Sequence, residues 1–70
     1  MHRETVKSEV LRSVGYDPDG RTLEIEFASG AVYRYFDVPE DLYLDLMTAP
    51  SHGEFFGRRI RDAGFDYEQV

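Results

Sequence analysis

Leu23-Glu24-Ile25-Glu26-Phe27-Ala28-Ser29-Gly30-Ala31-Val32-Tyr33-Arg34-Tyr35 is the stretch whose reading decides the fold. Its first half alternates. Leu23, Ile25 and Phe27 point one way and Glu24 and Glu26 the other, the period of a half-buried strand. Ser29-Gly30 marks a turn into a second strand over residues 32–36. Loop length then sets the register. A two-residue loop places Ile25 opposite Arg34 and buries a charge among apolar neighbours. A three-residue loop, Ala28-Ser29-Gly30 with Gly30 left-handed, places Ile25 opposite Tyr33 and Leu23 opposite Tyr35. It also sets Glu24 against Arg34 on the other face, a favourable cross-strand pair. The three-residue loop is the expected one.

Upstream, Asp17-Pro18-Asp19-Gly20 is a turn, with Pro18 suited to its first corner and Gly20 expected in the left-handed region. It joins a strand over residues 8–16 to one over 21–28. The same loop rule puts Leu11, Ser13 and Gly15 on the core face and Arg12 opposite Glu26. Small residues at Ser13 and Gly15 would leave room for rings or a helix above them.

Downstream, the period changes to that of helices. Val38-Pro39-Glu40-Asp41 opens the first, with Pro39 in the first turn and two carboxylates at the positive end of the dipole. Leu42, Leu46 and Ala49 form its apolar stripe, with Tyr43 and Met47 at the margins. Pro50 stops it. Ser51-x-x-Glu54 is a capping-box pattern that opens a second helix carrying Phe55, Phe56, Ile60 and Ala63 inward and ending at Gly64. The expected architecture is α+β, a three-stranded antiparallel β-meander followed by two short α-helices packed on one face (β-β-β-α-α). Residues 1–7 read as a flexible N-terminus and 8–64 as a single domain. Residues 65–70 read as a tail that packs back through Phe65 and Tyr67 or forms a short edge strand.

Composition narrows the functional classes. Seventy residues suffice for one domain. With no Cys, neither disulfides nor thiolate-held zinc can staple the chain, so the core must hold it, helped by five Phe and five Tyr. The first residues lack the apolar run of a signal peptide, and no stretch approaches membrane-spanning length. A cytoplasmic, soluble, monomeric protein is expected. The formal net charge of −6 opposes long-range attraction to nucleic acid, so any phosphate binding must rest on a local basic patch.

One such patch is Arg58-Arg59-Ile60-Arg61, with Arg34 as a further candidate. Arginine binds phosphate bidentately. The plainer reading is that cations at a helix C-terminus complement its dipole and pair with Asp62, Asp66 or Glu68. Tyr33 and Tyr35 carry a second ambiguity. In the preferred register both rings face the core. A slip of one residue would turn them outward as a platform for stacking bases. His52 sits beside Ser51 at a helix start, where neighbouring side chains diverge, so a surface or capping role is expected rather than a catalytic dyad. His2 and His52 do not compose a metal site. Asp17, Asp19 and Gly20 lack the remaining ligands of a calcium loop and read as turn residues. Gly53 and Gly57 each cost a helix about 1 kcal/mol relative to Ala, and close packing is the expected reason. No cofactor is implied, and no convergent set of groups suggests catalysis.

The combination resembles a known family, the KTSC domain, named for its occurrence at the C-terminus of some lysyl-tRNA synthetases and found also as small stand-alone bacterial proteins. The resemblance rests on Tyr33-Arg34-Tyr35 after Leu23-x-Ile25-x-Phe27-x-x-Gly30, on Val14-Gly15-Tyr16-Asp17 and on Val38-Pro39. It continues through Ala49-x-Ser51-x-Gly53-x-Phe55-Phe56-x-x-x-Ile60-Arg61, so that it covers residues 10–61. Gly57 departs from the pattern, standing where a polar residue such as Asn is expected. The resemblance implies a non-enzymatic binding module, with RNA or tRNA as the suggested partner through Arg58, Arg59, Arg61 and Arg34. The alternative is a protein-interaction or structural module using the open sheet face of Arg12, Glu24, Glu26 and Arg34.

Overall fold

A computed structural model describes residues 1–70. Strands β1 (Arg3–Thr5), β2 (Leu11–Asp17), β3 (Thr22–Phe27) and β4 (Val32–Tyr35) come first. Helices α1 (Glu40–Thr48) and α2 (His52–Arg59), a 3₁₀ turn (Arg61–Ala63) and β5 (Tyr67–Gln69) follow. All strands belong to one sheet in the order β1-β2-β3-β4-β5, with every neighbouring pair antiparallel.

The β3–β4 register is the expected one: Ile25 opposes Tyr33, Leu23 opposes Tyr35 and Glu24 opposes Arg34. Gly30 takes the left-handed conformation at φ 96°, and the Gly30 amide donates to the Phe27 carbonyl at 2.9 Å, closing the three-residue loop.

The β2–β3 hairpin differs from expectation. Its loop has four residues, Pro18 to Arg21, closing on the pair Asp17↔Thr22. The left-handed residue is Arg21 (φ 52°) instead of Gly20. At Gly20 an added Cβ would lie 3.0 Å from the Asp17 carboxylate, a close contact with a movable side-chain end. The extra loop residue shifts the pairing by one, so Val14 and Tyr16 oppose Ile25 and Leu23. Ser13 and Gly15 therefore leave the core face and join Glu26 and Glu24 on the other. A bulge between Leu11 and Ser13 takes up Arg12 as the unpaired residue and returns Leu11 to the core opposite Phe27. Arg12 accordingly does not sit opposite Glu26, though its Nη1 still reaches the Glu26 carboxylate at 3.7 Å.

Five strands replace the expected three. Residues 3–5 carry no hydrophobic alternation, and their pairing depends on a residue in another strand. Gly15 opposes Arg3, and a Cβ at Gly15 would stand 2.7 Å from the His2 carbonyl oxygen and 2.8 Å from Arg3 Cγ. The missing side chain is what lets β1 lie against β2. At the other edge the tail forms β5, Tyr67 opposing Tyr35, and backbone bonds from Phe36 to Asp66 and from Val70 to Val32 extend the ladder.

The core lies between the sheet and the helices. Leu11, Val14, Leu23, Ile25 and Tyr35 come from the strands, Val38 from the β4–α1 connection, Leu42, Leu46 and Phe56 from the helices, and Ile60 from the end of α2. Ala49 is half-buried as the C-cap of α1, and Ala63 is exposed. Ser51 caps α2 by accepting from the Glu54 amide at 3.3 Å. The Glu54 carboxylate pairs with Arg58 at 3.1 Å, and only the Ser51 half of the capping box forms. Gly64, left-handed at φ 88°, ends the 3₁₀ turn.

Candidate nucleic-acid interface

Because Tyr33, Tyr35 and Tyr67 share one sheet face, the edge at β4 and β5 presents a row of rings to α2. Phe56 holds the inner end. Its ring lies 5.3 Å from Phe27 and 5.5 Å from Tyr35, both edge-on. Tyr67 forms the outer end, 5.6 Å from Tyr35 and 5.9 Å from Tyr33. Exposure climbs along this row, from 6% at Tyr35 to 62% at Tyr67. The rings floor an open groove of about 640 Å³ whose far wall is Gly57, Arg58 and Arg61. The register thus places both hallmark tyrosines on the core side, and the groove still leaves Tyr33 half-exposed.

The groove is polar at its lip. Arg58 pairs with Glu54 at 3.1 Å and Arg61 with Asp62 at 3.3 Å, all four side chains being largely exposed. Burial, with Tyr33 and Tyr67 beside it, pushes the Tyr35 phenol above its ordinary value, and the nearby Arg61 guanidinium pulls the other way. Tyr35 therefore keeps its O–H as a donor at neutral pH.

The four candidate arginines do not converge. Arg58 and Arg61, three residues apart, share the groove wall. Arg59 turns to another side of α2, its guanidinium 5.5 Å from the Phe55 ring centre. Arg34 is on the opposite sheet face, its Nε donating to Glu24 Oε1 at 2.9 Å. Arg3 reaches the other Glu24 oxygen at 3.5 Å, so this buried carboxylate lies between two guanidiniums. Beside it, the Ser13 hydroxyl donates to Glu26 at 2.8 Å, and Arg12 donates to the Ala28 carbonyl at 2.8 Å.

Other hallmark residues are structural. Ser51 caps, Phe56 and Ile60 are buried, and Phe55 packs half-buried against the core. Gly53 accommodates Val10, whose Cβ and Cγ2 would both lie 3.2 Å from an added Cβ. His52 Nδ1 lies 2.8 Å from the Leu46 carbonyl, which can only accept, so Nδ1 carries a proton and ties α2 to the end of α1. Asp17 accepts from the Asp19 amide at 3.1 Å, a turn contact. No group of three or more His, Cys, Asp or Glu residues is placed to hold a metal ion. No helix is long and apolar enough to cross a membrane.

A KTSC domain family model matches residues 7–65. The chain belongs to the KTSC domain family. The crystal structure of a KTSC domain protein from Yersinia pestis superposes with a TM-score of 0.94 at 39% identity, over 99% of this chain and 96% of that one. An uncharacterised protein of Stutzerimonas stutzeri is 40% identical over all of this chain and 99% of its own length. A lysine–tRNA ligase of Nostoc punctiforme is 41% identical over 64 residues, which make up 91% of this chain and 11% of that protein. A KTSC domain thus occurs both nearly alone and as a small part of a larger protein. In the present one, Phe27, Gly57 and Tyr67 also line the groove, although the sequence marks them only as a strand residue, a packing glycine and part of a tail. The alternation Phe65-x-Tyr67 was the available signal for Tyr67, whereas the openness at Gly57 has none.

Proposed function

We propose that this KTSC domain is a non-catalytic cytoplasmic module that associates with RNA, tRNA included, through the groove between α2 and the β4–β5 edge. The observation that carries this reading is the meeting of solvent-reaching tyrosine rings with two arginines at one place. Rings offer stacking to any base, and guanidiniums offer bidentate contacts to phosphate. The carboxylate partners of Arg58 and Arg61 do not stand in the way, because exposed ion pairs are worth about 0–1 kcal/mol and exchange readily for phosphate. Related segments in lysine–tRNA ligases support the same partner class. The competing protein-interaction surface, Arg12, Glu24, Glu26 and Arg34, has its charges engaged with one another.

Titration of labelled tRNA across salt concentrations tests the proposal. Two phosphate contacts predict a log–log salt slope of roughly −1 to −2, and Arg58→Ala with Arg61→Ala abolishes most of the binding. Absence of binding at low salt rejects it, as does binding that survives loss of both arginines.

A further inference from the structure

We infer that the groove seats a single unpaired nucleotide, its base against Tyr67 and Tyr33 and its phosphate on Arg61 and Arg58. The inference rests on the RNA reading and adds which form of RNA is bound and where. Three observations support it. The first is the ring row: Tyr67 is the outermost member, tilted 33° to Tyr35 and 43° to Tyr33, and 62% exposed. A flat ligand would continue the row. Base faces are free to do so only when the nucleotide is unpaired, since in a duplex they are covered by stacking.

The second observation is Gly57. A helix-interior glycine costs about 1 kcal/mol, and at Gly53 the close approach of Val10 accounts for it. At Gly57 no such packing exists. An added Cβ would meet only the Arg61 guanidinium, with Nη2 at 3.3 Å and Cζ at 3.7 Å. The missing side chain keeps the groove wall open and lets Arg61 lie close against the helix. The third observation is charge placement. Arg58 and Arg61 stand on the wall facing the rings, each in an exposed pair with a carboxylate of the same lining, Glu54 and Asp62, so a planar group whose phosphate displaces those carboxylates complements both walls. The groove's size, about 640 Å³, falls in the range of small-ligand sites.

The test compares a labelled single-stranded oligouridylate with the same strand annealed to its complement, by fluorescence anisotropy at low salt. The single strand is expected to bind at least about tenfold tighter, and Tyr67→Ala to weaken it by about tenfold while Tyr67→Phe retains it. Gly57→Leu adds bulk to the helix wall of the groove, where an added Cβ meets only the Arg61 guanidinium. It is expected to weaken binding while leaving the melting temperature unchanged or higher. Equal affinity for single strand and duplex overturns the inference. So does indifference to both Tyr67→Ala and Gly57→Leu, or displacement of the oligouridylate by polyglutamate at the same charge concentration. In those cases dependence on Arg58 and Arg61 would leave the RNA reading standing. Failure to bind either RNA overturns both.

Discussion

Arg21 occupies the left-handed region at φ 52°, where a Cβ crowds the following carbonyl. The position is imposed from outside the turn: the Arg21 carbonyl accepts from the Val38 amide at 3.0 Å, tying the β2–β3 loop to the entry of α1. Relief of the strain in Arg21→Gly, of the order of 1–2 kcal/mol, outweighs the added unfolded-state freedom of glycine, roughly 0.5–1 kcal/mol. Arg21→Gly should therefore stabilise the fold by up to about 1 kcal/mol in urea unfolding, and a loss of stability would refute the strain argument. Its neighbour shows how a turn misleads. Gly20 looks like the left-handed residue, but the positive φ falls on Arg21. Local chemistry marks a turn without specifying which of its residues bears the unusual φ.

At the level of elements, most of what the sequence discloses is periodicity, and what it conceals is pairing through the backbone. The alternation from Leu23 to Tyr35 suffices for β3, β4 and their register, and Ser51 suffices for the start of α2. The β2 register was harder because Ser13 and Gly15 sit in alternation with Val14 and Tyr16, and a one-residue change of loop exchanges the two sets. Val14 and Tyr16 are the more apolar pair, and they take the core face opposite Ile25 and Leu23. Strand β1 has no side-chain signal of its own, because its place is made by the absence of a side chain at Gly15. Gly15→Val should consequently release β1, lowering stability by roughly 1–3 kcal/mol. Hydrogen exchange would show the loss at the β1–β2 ladder, with β3–β4 amides still protected. Uniform loss of protection across the sheet would show instead that β1 is not a separable element. The groove was legible in part: Arg58, Arg61, Tyr33 and Tyr35 stand out in the sequence. The separation of Arg34 onto the opposite face follows directly from the register that pairs it with Glu24.

For the molecule as a whole, three tyrosines tie stability to pH in the alkaline range. Burial raises the phenols of Tyr16, Tyr35 and Tyr43 above their ordinary value. Tyr16 also donates to the Val38 carbonyl at 2.5 Å and stacks on Tyr43 at 4.9 Å, so sheet and α1 are joined through these two rings. The native state holds those protons more tightly than the unfolded chain, in which tyrosine ionises at about pH 10. Their contribution is thus complete below about pH 10 and is lost as pH rises through the raised native values. Urea midpoints measured against pH should fall above about pH 10, less steeply in Tyr43→Phe, and an identical decline in that variant would contradict the assignment. The strand order has a further consequence, for self-association. The sheet keeps its seven-residue and six-residue strands, β2 and β3, paired on both sides and exposes only two three-residue strands at its margins. Long, flat, apolar edges template aggregation, and short charged ones do not. With Arg3 and Glu4 on one margin and Glu68 on the other, a second copy approaching edge-on meets charges and a ladder of only three residues.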